Sequence, residues 1–365
     1  MKPSFCAIAN QQIGEDLIGT AGHYQTYVLI ECPTPWDAKV FKSKNLPADL
    51  RNYVKALKAK QSVQFLAINR GKATKSSAVT ILVYERIVPS GSVATGSVAT
   101  DNAAGRKANS QTLENYRGYE FQLDDITQVV DCLEAHWQGD RIGKPITQQD
   151  ILICTHGMRD KCCARFGQPF FREASRSAEQ GNLPNTRIWK VSHIGGHRFA
   201  PTAISLPDGR YYGRLTLAAL QAIVTRSGPI QQLSTVYRGW GLLPEPVQIL
   251  ERQLMLEYGW SWFDHAMTYR VLTDRTLTDA TQTTNEKSSS KHLRQLLVEF
   301  SVQAVTYQAK IVQDPQKTVC TKASCSSAVA VPMVKYTVAE CIQVKTKTSE
   351  ATEYKTVTIS SAPTS

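Results

Sequence analysis

Apolar positions along the chain fall into two stretches that carry the same succession of elements. The run from Tyr24 to Glu31 reads as a strand, and after a proline-rich turn the spacing from Pro47 to Lys60 is that of a helix. Strands are predicted at Val63–Ile68, Ala78–Tyr84 and Tyr119–Phe121, and a helix from Asp124 to Gln138. The second stretch predicts a strand at Asp150–Cys154, a helix at Ala164–Glu179 and a strand at Arg187–Ser192. A hairpin follows, Ala203–Leu206 and Tyr211–Arg214 about Pro207-Asp208-Gly209, and then a helix at Thr216–Arg226. From Pro229 to Phe263 the spacing is helical, with Trp240, Trp260 and Trp262 read as packing residues. Alternation at Val302–Val312, Met333–Val338 and Tyr354–Ile359 predicts a small antiparallel sheet with one wet face.

Strand, helix and parallel strand followed by a hairpin and a helix is the layout of a thioredoxin-like α/β fold. The expected organisation is an N-terminal α/β domain over 1–147, read as a degenerate thioredoxin-like duplicate, and a thioredoxin-like domain over 148–228. A helical segment over 229–280 and a β-rich region over 292–365 complete it. The Gly-Ser-Val-Ala-Thr tandem within 91–105 and the Thr/Ser/Lys-rich stretch 280–291 read as linkers, because small polar residues cannot bury a core.

Composition narrows the classes. At 365 residues with 42% hydrophobic and 20% charged residues, the chain is a folded multidomain protein and not a disordered polymer. No apolar run of about 18 residues is present, so no transmembrane helix is expected. The polar break after Ile8 disfavours a signal peptide, and the expected location is cytoplasmic. There the nine cysteines should stay reduced. Lys and Arg exceed Asp and Glu by 42 − 31 = 11, a surplus that can steer an acidic partner. Without a concentrated basic run, nucleic acid is not expected.

Two segments carry the chemistry: Cys154-Thr155-His156-Gly157-Met158-Arg159-Asp160-Lys161-Cys162-Cys163 and Ser192-His193-Ile194-Gly195-Gly196-His197-Arg198. Each follows a predicted strand, so both lie at one edge of an α/β layer. Thiols and imidazoles converging there predict a metal site. The glycines between His193 and His197 let both rings turn to one point. Cys154 supplies one thiol and Cys162 or Cys163 the other; a position next to the helix N-terminus favours Cys163. His156 is read as a hydrogen-bonding residue of its own loop, Cys162 as a buried neighbour, Cys32 as structural, and Cys320 and Cys325 as having no histidine companions. No Cys-x-x-Cys occurs, against dithiol exchange.

The stretch from Cys154 to Ala164, the Trp189-x-x-Ser-His-x-Gly-Gly-His-Arg-Phe-Ala-Pro-Thr motif and Leu206-Pro-Asp-Gly-x-x-Tyr-Gly-Arg-Leu resemble the sucrase/ferredoxin-like family. Glu15–Ala21 and Glu31-Cys-Pro-x-Pro-Trp36 extend the likeness. The resemblance implies a [2Fe-2S] cluster held by Cys154, Cys163, His193 and His197, and with it single-electron transfer to an unidentified redox partner, a reductase or ferredoxin. Two imidazoles in place of thiolates would raise the potential, as in Rieske centres, and ring nitrogens open to water would couple electron to proton uptake. Arg159 and Arg198 are the expected hydrogen-bond donors around the sulfides. The sharper alternative is a zinc-stabilised interaction protein using the same four ligands. No carboxylate pair stands in a setting for glycoside hydrolysis, so sucrase activity is not expected.

Overall fold

The computed structural model describes residues 5–43, 46–60, 62–71, 78–87, 111–278, 292–344 and 354–355. Both predicted linkers lie largely or wholly outside these residues. In chain order the first half comprises α1 (Cys6–Gln12), β1 (Thr26–Glu31), α2 (Ala48–Lys60), β2 (Val63–Asn69), β3 (Val79–Arg86), β4 (Gln111–Leu113), β5 (Tyr116–Leu123), α3 (Val129–Gln138) and β6 (Lys144–Pro145). Then come β7 (Gln149–Cys154), α4 (Gln168–Glu179), β8 (Thr186–Val191), β9 (Ala203–Leu206), β10 (Arg210–Tyr212), α5 (Leu217–Thr225), β11 (Tyr237–Trp240) and α6 (Glu245–Tyr258). The chain continues through β12 (Met267–Thr278), β13 (His292–Val302), β14 (Val305–Gln313), β15 (Val319–Thr321), β16 (Val331–Met333), β17 (Tyr336–Val344) and β18 (Tyr354–Lys355).

The two α/β stretches have one strand order. In the first, β1 pairs in parallel with β2 and antiparallel with β3, which pairs antiparallel with β5. In the second, β7 pairs in parallel with β8 and antiparallel with β9, which pairs antiparallel with β10. The boundary expected near 147 is not a break in the sheet. β2 and β8 pair through Ile68↔Val191 and Asn69↔Lys190, making one ten-stranded sheet, β11-β10-β9-β7-β8-β2-β1-β3-β5-β6. Joining the two halves removes an exposed edge from each, the edges that would otherwise template aggregation.

Burial explains the near-continuous apolar runs. Along β1, Val28 and Ile30 pack with Leu50, Val54 and Leu133 of α2 and α3. Tyr27 and Leu29 face the opposite core, which holds Phe170, Phe171 and Ala174 of α4. A strand covered on both faces has no wet positions to alternate with.

The stretch expected to be helical over 229–280 is helical only in part. Tyr237–Trp240 pairs with β10, and the alternation Met267, Tyr269, Val271 makes β12 a long strand paired along its length with β13. The C-terminal sheet is six-stranded, β18-β17-β14-β13-β12-β4, with β14 alternating as a one-face-wet strand does. α6 lies in the core between the sheets, its Val247, Leu250, Leu254 and Met255 buried with Val298 and Phe300. No helix among the described residues is long and apolar enough to cross a membrane.

Glu15, in the segment after α1, is buried under three cations. Arg198 grips it through both carboxylate oxygens, Lys335 lies 2.9 Å away, and Arg214 binds its carbonyl. Burial alone would raise the carboxyl pKa, but Arg198 and Lys335 outweigh it and hold it below the ordinary 4.5. A carboxylate depressed in the folded state stabilises it fully above the unfolded value, and this contribution is lost as pH falls through the folded one. Urea midpoints are therefore expected to drop as pH falls below about 4.5, more steeply in the parent than in Glu15→Gln; equal slopes would refute this.

Candidate metal centre

β7 and β8 run parallel and side by side, so their C-terminal ends bring the two motif segments to one place. The Cys154 N–H donates to Thr202 and the Thr155 N–H to Val191, anchoring the first segment. The chain then passes through a π-helical turn at Cys163–Gly167 before α4. Gly167 sits where a Cβ would lie 2.0 Å from the Cys154 carbonyl oxygen. Only glycine lets this turn close onto the strand end and seat Cys163 beside Cys154.

On the second segment, Gly195 and Gly196 adopt φ of 79° and 68°, the left-handed region that glycine enters without a Cβ penalty. A Cβ on Gly196 would meet the Arg238 guanidinium at 2.5 Å. The turn directs the two histidines together, with His197 Nδ1 3.3 Å from His193 Nε2. Two imidazole nitrogens on one tetrahedral ion, each bonded at about 2.0–2.1 Å, lie about 3.4 Å apart, so this pair is spaced for a shared metal. His193 Nδ1 lies 3.8 Å from Cys163 Sγ, and the donor atoms of Cys154, Cys163 and His193 all lie within 4.8 Å of one another.

The thiols are electrostatically unequal. A hydrogen bond from Cys163 and the nearby His193 push Cys154 well below the ordinary thiol range despite its burial, while Cys154 and burial push Cys163 up. The direction at Cys154 is toward thiolate, the metal-binding form. Two buried soft donors and two imidazoles fit an iron–sulfur cluster or zinc.

The structure brings Cys154, Cys163 and His193 together, sets His197 against the other ring nitrogen of His193, and turns Cys162 away, to Cys6 and Cys325. His156 reaches beyond its own loop. Its Nε2 donates to Asp37 O at 2.9 Å and its Nδ1 accepts the His193 N–H at 3.2 Å, so it braces a candidate ligand against the first half. Burial lowers its pKa, consistent with the neutral ring that accepting at Nδ1 requires. Cys32, just after β1, is 2% exposed.

Of the two arginines expected as donors around the sulfides, Arg198 is engaged by the Glu15 carboxylate and Arg159 lies at the surface. Buried Arg238 of β11 takes the place beside the histidine turn, donating to Gly195 O at 3.2 Å and to Thr20 O at 2.6 Å. A cation inside the apolar run Tyr237–Trp240 was the sequence signal for it. Nor does His197 open to water at Nε2, which donates to Ala323 O and lies 3.7 Å from Asp160 Oδ2. Beside His193, a cleft of about 450 Å³ opens between Thr20, Tyr24, Gln64, Gly195 and Glu245.

A family model described as Sucrase/ferredoxin-like matches residues 17–239. The chain belongs to the sucrase/ferredoxin-like family. The matched region covers β1 through most of β11 and holds all four candidate ligands, leaving α1, α6 and most of the C-terminal sheet outside. Over 83 residues this family member is 32% identical to Altered inheritance of mitochondria protein 32 of Meyerozyma guilliermondii, covering 22% of this chain and 29% of that protein. Over 101 residues it is 33% identical to the protein of the same name from Clavispora lusitaniae, covering 26% and 36%. The matches thus span about a third of the length of these curated relatives. No solved structure matches.

Proposed function

We propose that this protein is a single-electron carrier holding one [2Fe-2S] cluster through Cys154, Cys163, His193 and His197. The observation that carries the reading is the convergence of two buried cysteines and two histidines, the imidazole nitrogens 3.3 Å apart, at the common edge of β7 and β8. The order β8-β7-β9-β10, with α4 and α5, supports a thioredoxin-like ferredoxin unit, and β2-β1-β3-β5 a cluster-free copy of it.

When bound, the cluster supplies a one-electron redox couple at a potential raised by its imidazole ligands. The protein's part is to keep those ligands fixed: His156 orients His193, Ala323 and Asp160 hold His197, and Arg238 locks the glycine turn. The cleft beside His193 offers the approach for a redox partner, an acidic reductase or ferredoxin suiting the net charge of +11. The reading needs a reducing compartment, the cytoplasm, and all nine cysteines are free thiols.

A zinc-stabilised interaction protein is the second reading, favoured by the three donors of Cys154, Cys163 and His193 lying within 4.8 Å, close enough for a single ion. Protein purified without air decides between them. Two irons and two acid-labile sulfides per chain, with visible absorption that bleaches on dithionite, are expected. A colourless chain whose zinc disappears in Cys154→Ala would establish the second reading instead.

A further inference from the structure

A second sulfur cluster lies next to the first and uses none of its four ligands. Cys6 Sγ is 3.5 Å from Cys162 Sγ, Cys162 Sγ is 3.3 Å from Cys325 Sγ, and Cys325 Sγ is 3.6 Å from Cys6 Sγ. The three close a nearly equilateral triangle, and the carboxylate of Asp160 joins them with every donor atom within 4.8 Å of the others. Cys6, Cys162 and Asp160 are 3%, 0% and 4% exposed.

These separations exceed a disulfide bond of about 2.05 Å by more than an ångström. They approach the spacing of about 3.8 Å that bonds of about 2.3 Å impose on two sulfurs of one tetrahedral zinc ion. A [4Fe-4S] cluster would place each sulfur on a different iron and so hold the three further apart. One of the three sulfurs already receives a backbone donor: the Ala7 N–H donates to Cys162 Sγ at 3.4 Å. Asp160 is held in place by the N–H groups of two of the cysteines, Cys162 at 2.8 Å and Cys325 at 2.9 Å, which leaves lone pairs for a cation.

We propose that Cys6, Cys162, Cys325 and Asp160 form a structural zinc site, separate from the Cys154/Cys163/His193/His197 centre and independent of its identity. Its donors come from three distant parts of the chain: α1, the loop ahead of the π-helical turn, and the segment between β15 and β16. Cys6 and Cys325 lie outside the family-matched residues, so the site belongs to what this chain adds to the family core. The ion fastens α1 and the C-terminal segment over the first centre. Ala323, two residues before Cys325, accepts from His197, and Asp160 lies 3.7 Å from the same ring.

Metal analysis and zinc K-edge absorption of the full chain purified without air test this. One zinc per chain that persists in Cys154→Ala, with three sulfurs at about 2.3 Å and one oxygen in that variant, is expected. Cys6→Ser and Cys325→Ser should each remove that zinc while Cys154→Ala retains it. The absorption measurement on Cys154→Ala leaves all four donors of this site in place, so a Cys6→Ser chain that fails to fold does not remove the test. Absence of zinc from the parent chain, a disulfide between any two of the three cysteines, or a zinc shell of two sulfurs and two nitrogens lost on Cys154→Ala would each overturn the proposal. The iron and sulfide content of Cys325→Ser reads the first centre separately, so either assignment can fail without the other.

Discussion

Cys163→Ser is expected to reduce the visible absorption, iron and acid-labile sulfide of the protein to background, whereas Cys162→Ser, which removes a ligand of the second site, should cost the protein its zinc and retain iron and sulfide. The two residues are adjacent in sequence and both buried, so composition and exposure do not separate them. Direction does: Cys163 Sγ faces His193 and Cys154, and Cys162 Sγ faces Cys6 and Cys325. Exchanging a soft thiolate for a hydroxyl removes a ligand without changing the local volume much. His193→Ala should act like Cys163→Ser, since it removes the donor common to the thiol pair and the imidazole pair. Full iron and sulfide in either variant would exclude this ligand set. If Cys162→Ser loses the iron and Cys163→Ser keeps it, the thiols have been assigned the wrong way round.

Much of this centre was legible because its geometry is encoded locally. The strand ends at Cys154 and Val191 follow from short apolar runs, and two parallel neighbours must deliver their following loops to the same edge. The double glycine between the histidines is a backbone requirement visible as letters. The choice of Cys163 also rests on a local cue, although the segment after it winds as a π-helical turn before α4 begins.

What escaped was non-local. The second sulfur cluster joins residues 156 and 163 positions apart, and nothing in the sequence near Cys325 marks its partners. Arg198 sits in the ligand motif yet turns to Glu15, because a buried carboxylate 183 residues away needs a counter-charge. Arg238 fills the position expected of it from another strand. The strands inside 229–280 were hidden for a related reason: Tyr237–Trp240 and Met267–Thr278 gain their pairing from β10 and β13, and short apolar runs read in isolation fit either period.

The same non-local economy of charge governs how the later part of the chain is tied to the sheet, and Glu251→Gln is expected to destabilise the protein by about 3–5 kcal/mol. Glu251 of α6 is fully buried and meets Arg210 of β10, the Tyr237 hydroxyl at 2.9 Å and the Trp262 indole N–H at 2.9 Å. Arg210 is itself 2% exposed, enclosed by the rings of Trp240 and Phe263 at 4.6 and 4.3 Å. Glutamine keeps the shape and can still accept a hydrogen bond, but it leaves the guanidinium without its counter-charge in an apolar enclosure. Such an uncompensated charge costs a large fraction of a typical domain stability of about 5–15 kcal/mol. Replacing both partners by apolar residues, Arg210→Met with Glu251→Leu, should recover most of the loss, since neither charge then remains to be desolvated. Urea midpoints of the parent, Arg210→Met, Glu251→Leu and the double variant measure the coupling directly. A loss below about 1 kcal/mol in Glu251→Gln, or a double variant no better than the singles, would mean that packing of the surrounding rings and not the ion pair joins α6 to the sheet.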